Sequence, residues 1–229
     1  MIENPRDVEG DPASRVIAGL ARLVTEAPWT LERADLARAR DVGLSDDAIL
    51  GMIALSSFFN HLNRMADAVG IELDYEVRHR PPTPVPDTPA LARAEPSAWP
   101  DPDAPRPLEL SRKPGMGAAL ADCRAYVMER DAPLRVPQRQ VIARAVAERL
   151  GDAATVRRLI HVEARSEVDR TLERFAEIAT LAPWRLGAET FEMLRAALHT
   201  DLAVFDAIAV TSFANTVSRL DVALAALGR

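Results

Sequence analysis

The sequence predicts an all-α fold, a helical bundle with an internal duplication, on three observations. Apolar residues recur at three and four positions along most of the chain, Gly and Pro fall at the edges of those runs, and no segment alternates as a strand would. Two segments repeat at one offset: Ala27-Pro28-Trp29 returns as Ala182-Pro183-Trp184, and Ser57-Phe58-x-Asn60-x-x-x-Arg64 as Ser212-Phe213-x-Asn215-x-x-x-Arg219, every pair 155 positions apart. Over residues 21–67 and 176–222, fifteen of 47 positions are identical, which a duplicated helical unit explains most simply. Third, eleven of the seventeen prolines fall within residues 78–114, where neither helix nor central strand can persist. The chain therefore divides into a short helical unit at 1–77, a Pro-rich linker or wrapping arm at 78–114, and a longer helical unit at 115–229.

The elements follow in order. A helix over residues 13–26 stops at Pro28, and a second runs from Thr30, a plausible N-cap, to about Asp41, where Gly43 ends it. Ser45 is a good N-cap for the main helix, Asp46 and Asp47 suit its positive dipole end, and Gly70 closes it after Val69. Inside the Pro-rich segment, Trp99, Leu108 and Leu110 suggest that part of the arm docks on a surface. The second unit carries helices over residues 116–129, 137–150 and 153–181, a break at Pro183, a helix over 188–198, and a final helix capped by Thr200 and running to about Leu227.

Residues 48–59 of the main helix are apolar nearly all round, so the helix is expected to be buried on most sides. Polar groups on such a helix need a reason. Ser57, Asn60, Arg64 and Asp67 are spaced to share one face, with His61 and Asn63 beside it. The second copy keeps Ser212, Asn215 and Arg219 but has Thr216 in place of His61 and Val222 in place of Asp67. One reading is a pocket wall in which Arg64 holds an anionic group and His61 moves a proton; the other is a structural polar network across an apolar interface.

Composition excludes several classes. A net charge of −6 with no cluster of Lys and Arg argues against nucleic acid, and the amino terminus has no positive start or apolar run of a secretory signal. The longest apolar stretch is too short to span a bilayer, so no membrane partner and a cytoplasmic location are expected. Cys123 is the only cysteine, which leaves no disulfide or CxxC pair within the chain. It lies in an amphipathic helical pattern where a half-buried thiol is common. His79, His161 and His199 show no HxxxH or HExxH spacing, so no metal is expected, and with ten glycines and no phosphate loop no cofactor is expected either.

The run Thr25-Glu-Ala-Pro-Trp-Thr30, then Gly43-Leu-Ser-Asp-Asp-Ala-Ile-Leu50 and Phe58-Phe-Asn-His-Leu-Asn-Arg-Met-Ala-Asp67, resembles the alkylhydroperoxidase D-like, or peroxidase-related carboxymuconolactone decarboxylase, family. The resemblance covers about 55 residues of the first unit and, more faintly, about 110 of the second. It implies an all-helical bundle assembled as a symmetric oligomer and, in redox members, a thiol peroxidase run by Glu, a CxxC pair and His. That motif would fall between Pro137 and His161, where this chain has no cysteine, and a dithiol mechanism cannot run without its thiols.

Three functional readings follow. The first is a cofactor-free, non-redox enzyme, a decarboxylase or isomerase, on a small carboxylated substrate held by Arg64 with His61 as acid or base. The second is a family pseudoenzyme serving as an oligomeric scaffold or partner-binding protein. The third is residual thiol chemistry at Cys123. A homo-oligomer is expected in each.

Overall fold

In the computed structural model, which describes residues 11–71 and 89–228, all regular structure is helical. Asp11 accepts the Ser14 amide at 2.8 Å and Pro12 fits the first turn, so α1 begins there and spans Pro12–Glu26. Ala27 breaks the helix at φ −153° and ψ 64°, and Pro28–Thr30 forms a 3₁₀ turn. Thr30 does not cap the next helix: its hydroxyl donates back to the Ala27 carbonyl at 2.7 Å, and α2, Arg33–Asp41, starts two residues later behind Glu32. Gly43 takes a left-handed φ of 87° and turns the chain into α3, Asp46–Val69, capped by Ser45 and closed by Gly70 at φ 67°.

The Pro-rich segment is a docked arm over its described part. Leu91 and Ala94 donate backbone N–H groups to the carbonyls of Leu181 and Arg149, and the Trp99 indole donates to the Ala94 carbonyl at 3.1 Å. Leu108 is fully buried among Leu20, Leu50 and Leu224. Trp99 lies so close to Gly151 that a Cβ there would sit 2.9 Å from its ring, and Gly151 also has φ 74°, so both space and backbone require glycine. His79 and the run Pro81-Pro82-Thr-Pro84-Val-Pro86 lie outside the described residues.

The second unit begins with α4, Pro114–Met128, and α5, Val136–Leu150. The single helix expected over 153–181 is two: α6, Ala153–Arg158, and α7, Glu167–Leu181. Between them Arg144 donates to the carbonyls of Ile160 and Val162, and Ser166 with Asp169 forms a fresh capping box. Ala182 then breaks the chain at φ −148° and ψ 59°, nearly the angles of Ala27, before α8, Ala188–Leu198, and α9, Asp201–Ala226, capped by Thr200.

Helices α3 and α9 pack against each other antiparallel. The Thr216 hydroxyl donates to the Ser57 carbonyl at 3.2 Å, and one turn further along the Ser212 hydroxyl donates to the His61 carbonyl at 2.7 Å. The far half of α9 with its C-cap, through Leu220, Leu224 and the cap Leu227, completes the core of the first unit, while Phe213 and Val217 join the core made with α5 and α7. The expectation that residues 48–59 are buried on most sides is corrected. Ile49, Leu50, Ile53 and Ser57 face α9 and α1, but Leu55, Phe58 and Phe59 are 56%, 49% and 50% exposed, because no described element packs closely on that side.

Candidate functional site

Two polar sites emerge from the repeated helices, and they differ in kind. The first is a symmetric network at the crossing of α3 with α9. Asn60 donates to the Thr25 hydroxyl at 2.9 Å, and Asn215 donates to the Thr180 hydroxyl at 3.0 Å. Arg64 reaches from α3 to the end of α7, donating to the carbonyls of Ala179 and Thr180, while Arg219 reaches from α9 to the end of α1 and donates to the Thr25 carbonyl. Each guanidinium is also held by its own asparagine, Arg64 by Asn60 at 2.6 Å and Arg219 by Asn215. The four C-terminal carbonyls of a helix lack intrahelical partners, so Arg64 closes the end of α7 and Arg219 that of α1.

This placement answers the question about the polar stripe. Arg64 and Arg219 are buried, and all three Arg64 nitrogens donate to protein oxygens. Desolvation pushes the Arg64 guanidinium down to about 10. Arg219 is lowered well below its ordinary value by burial first and by the charge of Arg64 second. Ser57, Asn60, Ser212 and Asn215 are buried with them; Asn63 and Asp67 are exposed, and Asp67 acts on the network only through its charge, which offsets part of the desolvation of Arg64. The anion-holding role expected for Arg64 has no geometry to support it.

The second site is a cleft of about 430 Å³ between α3, α4 and α9. Ala54, Leu55, Phe58 and His61 line it from α3, and Phe213, Thr216 and Leu220 from α9. Met116, Leu120 and Cys123 close it from α4. Every lining side chain is uncharged when His61 is neutral, and most are hydrocarbon. The sequence placed His61 on a chemical helix and Cys123 in an unremarkable amphipathic one; the fold sets both on the walls of one cleft. Met116, Phe213 and Thr216 were not recognised as site residues, and the only local signal for the last two was their place in the second copy of the repeated motif.

His61 is the polar centre of this cleft. Its ring stacks beside Phe58, with centroids 6.1 Å apart and planes 27° from parallel. Burial lowers its pKa, and a hydrogen bond with the Ser212 backbone partly opposes that shift. A backbone bond that favours the protonated ring is one the ring donates. Nδ1 is buried and has no hydrogen-bond partner among the described residues. The Thr216 hydroxyl is already engaged with the Ser57 carbonyl. Desolvation raises the Cys123 pKa, which holds the sulfur as a thiol rather than a nucleophilic thiolate.

The remaining histidines lie elsewhere: His199 turns the chain between α8 and α9 at φ 64°, and His161 is exposed. Among the described residues no group of three His, Cys, Asp or Glu side chains could hold a metal ion, and no single helix is long and apolar enough to cross a membrane. Comparison with protein-family models, with curated proteins and with solved structures finds no match to this chain.

Proposed function

We propose that this chain is a cofactor-free small-molecule protein whose α3–α4–α9 cleft binds a neutral, predominantly apolar compound against the His61 ring. The observation that carries this reading is a cleft of about 430 Å³ whose walls are almost wholly hydrocarbon, with the His61 ring among them. The cleft's size is that of ordinary ligand pockets, which combine apolar walls with a few convergent polar groups. A carboxylated substrate fits less well, because no cation lines the walls and an unpaired buried charge is costly. Chemistry of the alkylhydroperoxidase D type, which the sequence resemblance suggests, gains no support from Cys123, a lone thiol with a raised pKa.

Methyl NMR of Met116, assigned through Met116→Leu, tests the reading. Neutral apolar probes are expected to shift this signal in wild type and to fail in Gly51→Leu. Gly51 lines the cleft, and a Cβ there meets only the Lys113 side chain at 3.8 Å, so the larger residue fills the cleft without disturbing α3. Probes that leave Met116 unmoved, or that shift it equally in both proteins, would sink the proposal.

A second reading is favoured by a separate observation. Leu55, Phe59, Leu62 and Val69, all substantially exposed, follow one another along α3 at spacings of four, three and seven residues, the register of a helix-packing seam. We infer that this seam meets another copy of the chain, giving a homo-oligomer. Sedimentation of wild type and Leu62→Glu decides it: the wild type should be a dimer or larger, and the variant a monomer. A monomeric wild type at high concentration would end this reading.

A further inference from the structure

Leu55 belongs both to the cleft and to the exposed seam of α3, and a link between the two rests on the proposals that the first binds a ligand and the second a copy of the chain. We propose that a second copy, packed antiparallel along the seam, completes the cleft: Val69 of the partner subunit covers Leu55, so that ligand binding and self-association strengthen each other.

The cleft is unfinished on one side. Its α9 wall of Phe213, Thr216 and Leu220 is buried, but Leu55 on the α3 wall is 56% exposed. A small-molecule site ordinarily encloses about 70–90% of its ligand's surface, which a wall half in solvent does not do. From Leu55 the seam continues through Phe59, Leu62, Ala66 and Val69 at spacings of four, three, four and three.

The internal repeat shows what such a face is built for. At the offset of 155, Leu55, Phe59, Leu62 and Val69 correspond to Val210, Ala214, Val217 and Leu224, and all four of these are buried in the helical core. The same face of α3 has no described element packed closely on it. Two features fit a second copy as its cover. Over residues 48–66 the only charged side chain of α3 at neutral pH is Arg64, which is buried, so the face carries no charge that would repel its own copy. The seam is also symmetric about Leu62, with Leu55 seven residues before it and Val69 seven after, which suits an isologous contact. An antiparallel pair sets Leu62 against its own copy and Leu55 against Val69 of the partner subunit. A parallel pair would bring exposed Asp67 against itself and align the two helix dipoles.

Naphthalene, titrated against the Met116 methyl signal of the full chain at several protein concentrations, with sedimentation of the same samples, tests the link. Wild type should bind naphthalene about fivefold or more tightly as a dimer than when diluted to a monomer, and saturating naphthalene should move dimerisation to lower protein concentration, because linkage is reciprocal. Leu62→Glu and Val69→Glu change positions that do not line the cleft of their own chain; both should be monomers held at the weaker affinity at every concentration. Two variants are used so that a misfolded one does not decide the matter, and a retained Met116 shift shows that the cleft is intact. Equal affinity in monomer and dimer, or variants that bind as tightly as dimeric wild type, would overturn the link while leaving both underlying readings in place. Weakened variants beside a wild type whose affinity ignores concentration would mean that another segment of the chain or a different protein covers the seam, and the second copy would be the wrong occupant. A wild type that never dimerises sinks the seam reading, one that dimerises without binding naphthalene sinks the cleft reading, and either result removes the link as well.

Discussion

Helices α3 and α9 carry the same motif on matching positions, yet only eight of the 24 residues of α3 are buried against 21 of the 26 in α9. The network face is common to both: Ser57 with Ser212, Asn60 with Asn215, Arg64 with Arg219, all buried. The opposite faces part company. Phe58 is 49% exposed while Phe213 is 4% exposed, and Leu62 is exposed where its counterpart Val217 is buried. What covers α9 is α4 and α5, and the described part of the first unit has no counterpart of either. Burial is therefore decided by what a helix is packed with, not by its own sequence. The cleft lies where the covered and uncovered faces meet, between α3, the near part of α9 and the thin cover of α4, which buries only Val127 among its fifteen residues.

The sharpest way to break this comparison is to truncate the two phenylalanines. Phe213→Ala should cost about 3–5 kcal/mol, as large-to-small changes in a packed core do, while Phe58→Ala should cost under about 1 kcal/mol. Urea denaturation at several protein concentrations measures both. Matching losses that grow with concentration would mean that Phe58 is covered in solution by another chain, and the contrast drawn from one chain would fail.

The next effect tests what the two helices share. Arg64→Leu removes the donors to the Ala179 and Thr180 carbonyls, and Arg219→Leu removes the donor to Thr25. Each should cost about 2–4 kcal/mol, because buried acceptors are left without partners. The two cations also repel, since the charge of Arg64 disfavours the charged form of Arg219. Each single deletion also relieves the repulsion and so loses less than its own contacts, but in the double variant that relief counts only once, so the double should lose more than the sum of the singles, by about 0.5–1 kcal/mol. Strict additivity in a double-mutant cycle would mean that the two guanidinium groups act independently.

These contrasts also mark what the residues could and could not disclose. The helix ends were legible where Ser45, Thr200 and Gly70 act within one turn. The polar stripe was legible as a face, since spacing fixes direction. Its partners were not: Arg64 bonds carbonyls more than a hundred positions away, at the end of α7, and nothing local encodes that choice. For the same reason the burial of residues 48–59 was overestimated. Apolar residues on every side show what a helix could bury, while the presence of a cover is a tertiary fact. The break between α6 and α7 was missed although Ser166-x-x-Asp169 carries the signature of a helix start. The cleft was invisible as such, because its walls come from three helices and its chemistry from a histidine present in only one copy of the motif.

That histidine supplies the smallest and most selective contrast, since the second copy has Thr216 at the same place. Burial lowers the pKa of folded His61 below its ordinary 6.5, so the folded state holds the ring neutral where the unfolded chain begins to protonate it. The unfolded state then binds more protons, and stability rises with pH across that window. The contribution is fully present above about 6.5, declines as pH falls through the interval below it, and levels off under the folded pKa. One proton limits the slope to at most about 1.4 kcal/mol per pH unit. Other groups titrate in the same range, so the informative quantity is the difference between wild type and His61→Phe. That difference should be constant from pH 7 to 8 and change only below 6.5, with wild type losing stability the faster as acid is added. A difference curve that stays flat to pH 5 would mean that His61 is solvated in the folded state, and the one polar distinction between the two helices would lose its physical basis.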